Sequence, residues 1–467
     1  MEDTKSDEQK LWSNWNKSQE CCIESLFAPR FEQELIFIVK QAYTYGKNIK
    51  VLGSGHSLGP VLLPVENQWA ISLENYARIL DINKEKQTVT VQAGATYKQL
   101  NEELARHGFA LENLSSISDQ TISGATQTGT HGTGVSYGAL HTQIVEMKII
   151  NGKGELKTLS PIEYSTLFYA SNCGIGVMGI ISEITLKMIP RRHLLEQTSV
   201  AKWPYILDSL DELACQNEFF RFHWYPYANC VGICCANSSF TKSKKSISKD
   251  PLFLKQRCDM IIRNEDGISS FEDLLQEGHK NPVLWEKLNH AFFEANYLQG
   301  NEWIDESYRV LNHDFFDVFF EFSKNLAVFA LEIALPIDQL KSFLTELQLL
   351  VESNSFPAHG PIEVRFVKAD PAFLSPSYSE NSDAIFAFVS IISILPDAKS
   401  ELYKPYFVAC QNLAKEHCGR HHWGKLPVFE IDDLKINYPK WEEFSRLREQ
   451  EDPNGIFLNH FTSKLFE

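Results

Sequence analysis

Val51-Leu52-Gly53-Ser54-Gly55-His56-Ser57-Leu58 is a short apolar run that leads into a turn with two glycines and one histidine. A second glycine-rich run follows later, Gly124-Ala125-Thr126-Gln127-Thr128-Gly129-Thr130-His131-Gly132-Thr133-Gly134. The glycines of the first turn let a flat ligand approach the backbone closely. The glycines of the second run allow backbone N–H groups to converge, and its threonines add donors, which suits a pyrophosphate. The two runs together predict two loops that hold the two ends of a large anionic cofactor.

Each run has a plainer explanation when it is considered alone. A histidine in a glycine turn is commonly a surface or hydrogen-bonding residue, and a glycine-rich run can be a flexible loop. The familiar nucleotide motifs do not fit either run. Gly53-x-Gly55 lacks the third glycine, the sequence after Pro60 does not read as a helix, and no Gly-Lys-Ser/Thr triplet is present. The prediction therefore rests on the combination of the two runs.

Length and composition limit the class of protein. The chain has 467 residues, of which 43% are hydrophobic and 12% aromatic, so we expect an ordered protein of two or three domains. Its net charge of −16 argues against nucleic acid and a polybasic membrane anchor as partners. The sequence shows no apolar run of transmembrane length and no signal peptide, which predicts a soluble, cytoplasmic protein. No spacing of His and Cys predicts a metal site.

Periodicity divides the chain into two parts. Before Arg191, the pattern predicts a helix over Gln33 to Tyr45 that Gly46 ends, a strand over Asn48 to Leu52, and a hairpin over Gln143 to Leu159. After Arg191, long apolar segments predict the strands of a large sheet. These are residues 219–236, 326–335, 362–367 and 384–395, with a helix over 337–351 and an exposed loop over 238–250.

Three charged residues in the second part are candidates for chemistry. Glu363 and Arg365 lie two apart in a predicted strand, so both side chains point to one face of the sheet. Lys425 follows His421-His422-Trp423-Gly424. When these residues are considered alone, an ordinary ion pair on a strand and a solvated lysine are the more common explanation. Oxidation of an alcohol by a flavin nevertheless uses this set, because the carboxylate orients or deprotonates the hydroxyl and the cations stabilise the arriving negative charge.

Four motifs together resemble those of the sugar-acid lactone oxidases and alditol oxidases, which belong to the vanillyl-alcohol-oxidase flavoprotein superfamily. The motifs are Gly-Ser-Gly-His-Ser at 53–57, the run at 124–134, Glu-Val-Arg-Phe at 363–366 and His-Trp-Gly-Lys at 422–425. The resemblance implies an α+β fold, in which a two-subdomain PCMH-type FAD-binding domain is joined to a cap domain built on a large antiparallel sheet with flanking helices. It places the FAD-binding domain at 1–192, the cap, or substrate, domain at 193–420 and a segment that returns to the FAD domain at 421–467.

The same resemblance implies FAD as the cofactor, covalently attached through His56. The positions that match the family's cofactor contacts or adjoin them are Gly53, Ser54, Gly55, His56, Ser57, Ser115, Ser116, Thr121, Gly124, Ala125, Thr126, Gln127, Thr128, Gly129, Thr130, His131, Gly132, Gly179, Ile181 and Lys425.

The resemblance also implies the reaction. A CH–OH group of an aldono-1,4-lactone of the gulono-, galactono- or arabinono-lactone type passes a hydride to flavin N5, and oxygen or another acceptor takes the electrons. Glu363 and Lys425 position the hydroxyl and help its proton leave, and Arg365 stabilises the reduced flavin. Ser116 completes the catalytic set. The substrate-binding set is Glu363, Arg365, Ser390 and Lys425.

Two positions depart from known members of the family. Phe388 and Ser390 stand where alditol oxidases carry His and Thr, which favours a lactone over a polyol such as xylitol or sorbitol. Ser115 stands where Gly or Ala is common, which leaves oxidase and dehydrogenase as open alternatives. A flavin-binding protein without turnover is the third alternative, and the presence of Glu363, Arg365 and Lys425 argues against it.

Overall fold

A computed structural model describes residues 10–59, 63–64, 68–240, 271–278, 281, 284–297, 302–312, 327–354, 356–395, 401–426 and 431–466. The strands are β1 (Lys10–Ser13), β2 (Glu20–Ile23), β3 (Ser25–Phe27), β4 (Ile49–Leu52), β5 (Trp69–Ser72), β6 (Ile79–Asn83), β7 (Thr88–Gln92), β8 (Phe109–Ala110), β9 (Ile144–Ile150), β10 (Leu156–Leu159), β11 (Ile180–Lys187), β12 (Ile189–Pro190), β13 (His193–Lys202), β14 (Phe219–Tyr225), β15 (Cys230–Ser239), β16 (Glu302–Glu306), β17 (Ala327–Pro336), β18 (Ile362–Lys368), β19 (Ile385–Leu395) and β20 (Arg420–His421). The α-helices are α1 (Glu32–Tyr45), α2 (Tyr97–Arg106), α3 (Ile122–Gln127), α4 (Ser165–Ser171), α5 (Trp203–Gln216), α6 (Phe271–Gly278), α7 (Leu284–Tyr297), α8 (Ser307–Leu311), α9 (Ile337–Asn354), α10 (Lys404–Glu416), α11 (Ile431–Asn437), α12 (Trp441–Glu451) and α13 (His460–Phe466).

The first part of the chain contains two sheets that share one hydrophobic core. Strands β3, β5 and β4 form a parallel sheet in that order, and β10, β9, β11, β7 and β6 form an antiparallel one. Helix α1 buries one apolar face, and Gly46 ends it in the left-handed conformation at φ 63°, as the sequence predicts. The predicted strand before the first glycine turn and the hairpin of β9 and β10 are also confirmed.

One expectation for this part was wrong in detail. The run from Gly124 was expected to be a loop, but its first residues lie in helix α3, because Thr121 caps the helix and its hydroxyl accepts a hydrogen bond from the N–H of Gly124 at 3.3 Å. Strand β12, a two-residue strand that ends at Pro190, pairs with β8.

The second part is an eight-stranded sheet in the order β16-β13-β15-β14-β18-β19-β17-β20, and every strand pair in it is antiparallel. Strands β17, β18 and β19 are buried along nearly their whole length, because helices cover one face and the first part of the chain covers the other. The expected strand segment at 219–236 is a hairpin of β14 and β15. Most of the expected loop at 238–250 lies outside the described residues, and residues 238 and 239 belong to β15. The expected α+β class is confirmed.

The end of the chain returns to the first part. Trp441, Phe444 and Leu465 of the last two helices belong to the hydrophobic core of the first two sheets. Strand β20 pairs with β17, so the large sheet extends to His421. Residues 422–425 follow directly and lie between the two parts of the chain. Within the described part of the chain, no helix is long and apolar enough to cross a bilayer.

Candidate active site

A cavity of about 970 Å³, which is open to solvent, lies between the two glycine-rich runs. It opens beside the parallel sheet, where β4 delivers the first turn, and the N-terminus of α3 forms the opposite wall. The expected cofactor residues that line it are Gly53, Ser54, Gly55, His56, Ser57, Thr121, Gly124, Ala125, Gln127, Thr128, Gly179 and Ile181. The cavity therefore joins both runs with the start of β11, as two loops that hold one ligand require.

Glycine is required in this cavity because the walls approach closely. A Cβ atom on Gly53 would lie 2.3 Å from Oγ1 of Thr121, and one on Gly179 would lie 2.6 Å from the carbonyl oxygen of Ile150. Gly179 also has a φ of 141°, which side-chain-bearing residues rarely adopt. The cavity walls thus leave no room for a side chain at these two places, and backbone N–H groups in glycine-rich walls are suitable donors for phosphate oxygens.

His56 lies where this cavity meets a second one, and it lines both. Its ring stacks on Trp15 with 5.4 Å between centroids. Burial lowers the pKa of His56, so the imidazole is neutral at pH 7, and the charge of nearby Lys425 acts in the same direction. The Nδ1 atom is buried and has no hydrogen-bond partner among the described residues. A neutral imidazole that lines a ligand-sized cavity carries a nitrogen lone pair, and such a ring can act as a nucleophile.

The second cavity, of about 920 Å³, lies between the first part of the chain and the large sheet. The five expected catalytic and substrate-binding residues line it together, although they are far apart in the sequence. They are Ser116, Glu363, Arg365, Ser390 and Lys425. Ser115 also lines it, and its hydroxyl donates to Oε1 of Gln120 at 3.1 Å. We call this space the substrate cavity.

Glu363 is buried and held on both carboxylate oxygens. Its Oε2 lies 2.7 Å from the Arg365 guanidinium, and its Oε1 lies 3.3 Å from Nε2 of His223. Burial by itself raises the pKa of Glu363, but Arg365 and His223 outweigh burial and hold this pKa well below its usual range. Glu363 is thus a fixed carboxylate, which accepts hydrogen bonds and has little tendency to take a proton.

His223 lies behind Glu363, on the neighbouring strand β14. Its Nδ1 lies 2.5 Å from the hydroxyl of Tyr297. Burial favours a neutral ring, but the contacts with Cys234 and Glu363 prevail and raise the pKa of His223 to about 9. The ring is therefore positively charged at pH 7, and it balances the buried charge of Glu363.

A second carboxylate, Glu332, lies at the other end of the substrate cavity. It is 5% exposed, its Oε1 lies 3.3 Å from Nε2 of His131, and its Oε2 lies 3.8 Å from the ammonium group of Lys425. His422 also lines this end, and burial lowers its pKa to about 3. Ligand atoms of His131, Glu332 and His422 lie within 4.8 Å of one another, which is a cluster that the sequence did not predict.

The remaining expected cofactor residues lie elsewhere. Thr130 and His131 line the substrate cavity rather than the first cavity. Gly132 lines a smaller cavity behind Ser116 and Arg365. Gly129 packs against Pro376, and Thr126 is fully buried with its hydroxyl bonded to the carbonyl of Ser123. Residues 124, 125, 127 and 128 of the second run thus line the first cavity. Residues 130 and 131 line the substrate cavity, beside the large sheet.

Sequence reasoning missed Trp15, Lys50, His223 and Glu332. Lys50 lines the first cavity, where burial lowers its pKa to about 8. His223 and Glu332 have a signal that could have found them. Each lies in a strand of mostly apolar or aromatic residues, Phe-Phe-Arg-Phe-His-Trp-Tyr and Ala-Val-Phe-Ala-Leu-Glu-Ile-Ala-Leu-Pro, where a buried polar side chain needs a specific partner.

Comparison with known proteins connects this geometry with a function. Residues 184–465 match the model of the D-arabinono-1,4-lactone oxidase family, and residues 23–160 match that of the FAD binding domain. The chain is 30% identical to L-gulonolactone oxidase of Bos taurus and 29% identical to L-gulono-1,4-lactone dehydrogenase of Mycobacterium tuberculosis, over 97% of its own length and 98% and 99% of theirs. It is 27% identical to mitochondrial L-galactono-1,4-lactone dehydrogenase of Arabidopsis thaliana, over 97% of this chain and 81% of that one.

Solved structures share the fold at lower identity. Cholesterol oxidase from B. sterolicum superimposes with a TM-score of 0.78 at 15% identity, and 98% of this chain and 97% of that chain are covered. A solvent-stable cholesterol oxidase gives a TM-score of 0.79 at 14% identity and covers 98% of both chains.

The fold and the two cavities define an FAD-binding oxidoreductase. Glycine-lined walls, His56 and the buried charges beside it fit FAD, which the residues of the first cavity would hold. The chain belongs to the D-arabinono-1,4-lactone oxidase family.

Proposed function

We propose that this protein oxidises a CH–OH group of a sugar-derived aldono-1,4-lactone and that its FAD is covalently attached through His56. The observation that carries the proposal is the substrate cavity itself, where Glu363, Arg365, Ser390 and Lys425 surround one space beside His56. The relatives named as gulono- and galactono-lactone oxidases or dehydrogenases support the substrate class, because they match along almost the whole chain.

When bound, FAD supplies the acceptor for the hydride that leaves the carbinol carbon. The residues of this chain hold the substrate in position for that transfer. Glu363 accepts a hydrogen bond from the reacting hydroxyl, and its depressed pKa makes it an orienting group rather than a strong base, so the hydroxyl proton leaves along this hydrogen bond and is released to solvent water as the hydride departs. Arg365 and Lys425 place positive charge at the cavity, where it stabilises negative charge that develops on the substrate oxygen and on the cofactor.

Burial strengthens these interactions. Glu363 is 7% exposed and Arg365 is 9% exposed, so water competes little for their hydrogen bonds. Ser390 adds a hydroxyl that can donate or accept, which suits the hydroxyl groups of a sugar derivative. The arrangement favours a neutral polyhydroxylated substrate, because both hydrogen-bond acceptors and donors line the cavity.

A steady-state screen tests the proposal. L-gulono-, L-galactono- and D-arabinono-1,4-lactone are compared with xylitol and sorbitol, and each substrate is supplied with oxygen or with cytochrome c as acceptor. We expect kcat/KM for the lactones to exceed that for the alditols. A preference for alditols would instead identify an alditol oxidase, and the faster of the two acceptors distinguishes an oxidase from a dehydrogenase.

A further inference from the structure

A row of polar side chains crosses four neighbouring strands of the large sheet and ends at His422, which follows β20. Register pairs His223 with Glu363, Glu363 with Ser390, and Ser390 with Glu332, and the N–H of His422 donates to the carbonyl of Glu332 at 3.0 Å. Directly opposed residues lie on the same face of a sheet. Glu363, Ser390, Glu332 and His422 all line the substrate cavity. The two carboxylates are two strands apart, which separates their backbones by roughly 10 Å.

Glu332 keeps its charge in this buried place. Burial by itself raises the pKa of Glu332, but Lys425 and then His131 outweigh burial and hold this pKa well below its usual range. A carboxylate offers about four acceptor sites. His131 and Lys425 each approach a different oxygen, so acceptor sites remain on the side of the carboxylate that faces the cavity.

The donor set suits a hydroxyl group better than a metal ion. Nδ1 of His422 accepts a hydrogen bond from the N–H of Gly424 at 3.0 Å, so in the neutral ring the proton is on Nε2, which is then a donor and not a ligand. The Lys425 ammonium group lies 3.8 Å from Glu332 and would repel a cation. Glu332 as an acceptor and Nε2 of His422 as a donor instead match the two requirements of an alcohol.

We propose that Glu332 is a substrate-binding residue that determines specificity, because it binds the hydroxyls of the lactone that are remote from the reacting one. This inference rests on the proposed function, in which Glu363 and Arg365 hold the reacting end. A lactone with hydroxyls on an exocyclic chain spans both carboxylates. A lactone without that chain reaches only one of them.

The test compares L-gulono-1,4-lactone, which has two exocyclic hydroxyls, with erythrono-1,4-lactone, which has the ring hydroxyls alone. Glu332→Gln keeps the volume and removes the charge, and Glu442→Gln, on the exposed face of α12, is the matched control. Hydrogen bonds to charged groups contribute about 1.5–3 kcal/mol, so we expect E332Q to lower kcat/KM for gulonolactone by about 10- to 100-fold, mainly through KM. We expect kcat/KM for erythronolactone to change by less than about threefold.

An equal loss for both lactones, or no loss for either, would overturn the inference, as would a stoichiometric metal ion in the purified protein. The flavin content and absorbance spectrum of E332Q should match those of the wild type. If the wild type oxidises no lactone, the proposed function fails, and a binding experiment still tests Glu332. Gulonolactone and xylitol are then titrated against the flavin spectrum, and equal affinities of wild type and E332Q would contradict the inference.

Discussion

The guanidinium of Arg365 lies 2.7 Å from the carboxylate of Glu363, and the same guanidinium donates a hydrogen bond to the hydroxyl of Ser116. Arg365 and Glu363 belong to one strand of the large sheet, whereas Ser116 belongs to the first part of the chain. Arg365 therefore does two things. It keeps Glu363 charged, and it fixes the substrate-facing sheet against the part of the chain that binds the cofactor.

Arg365→Gln should raise the pKa of Glu363, because Arg365 is the largest favourable charge near that carboxylate. Glu363 is active when it is charged, so activity is lost as pH falls through its pKa. An opposite charge typically lowers a carboxyl pKa by about 1–3 units, so the acidic limb of kcat/KM should move upward by a similar amount. At neutral pH we expect a loss of about 100- to 1,000-fold. Lys368→Gln, on the same strand but partly exposed, is the control, and an acidic limb that stays in place would contradict the account.

His223→Gln should remove a pH dependence of stability. The folded pKa of about 9 is above the usual histidine value of 6.5, so the stabilisation is fully present below pH 6.5 and is lost as pH rises through 9. The shift corresponds to about 3 kcal/mol. Urea unfolding of the wild type between pH 6.5 and 9 should show this decline, and H223Q should show a flatter profile. His290→Gln, at an exposed position, should behave like the wild type, and a parallel decline in H223Q would contradict the assignment.

Gly53→Ala should reduce the amount of bound flavin. The added methyl group meets the Thr121 hydroxyl at 2.3 Å, and Thr121 caps the helix that forms the opposite wall of the first cavity. Gly46→Ala is the control. Its φ of 63° means that an alanine there lowers the stability of the protein by about 1 kcal/mol, but no atom lies within 4 Å of the added methyl group. The flavin-to-protein absorbance ratio should fall in G53A alone. A full complement of flavin in G53A would mean that the cofactor does not occupy this cavity.

His56→Ala should abolish acid-stable flavin. After acid precipitation, the flavin of the wild type should stay with the protein pellet, and that of H56A should appear in the supernatant, because the neutral His56 imidazole lines the first cavity and can act as the nucleophile. His107→Ala, at an exposed position, should leave the attachment unchanged. Flavin that remains with the H56A pellet would place the linkage on another residue.

The sequence was sufficient for features that depend on local chemistry. Helix α1 follows from apolar spacing and Gly46, and the ion pair of Glu363 and Arg365 follows from the two-residue period of a strand. The resemblance to a known family then brought together Ser116, Glu363, Ser390 and Lys425. These residues do line one cavity, although they lie on four different segments.

The features that the sequence did not predict depend on how strands pair. Glu332 and His223 become parts of the site because β17 and β14 lie on either side of β19 and β18, and this order is set by long-range packing. His131 lies against Glu332 and Phe388, contacts that the sequence did not predict, because the glycine run leaves α3 and turns toward the large sheet. A pattern of glycines shows that a backbone can turn, but not in which direction it leads.

Anaerobic mixing of the purified protein with L-gulono-1,4-lactone is the most direct test of the central claim, namely that a lactone in the substrate cavity reduces the flavin in the adjoining one. The account predicts that the long-wavelength flavin absorbance bleaches in a single turnover and that R365Q bleaches at least about 100-fold more slowly. A flavin that stays oxidised in the presence of every lactone in the screen would contradict the account, whether or not an alditol reduces it.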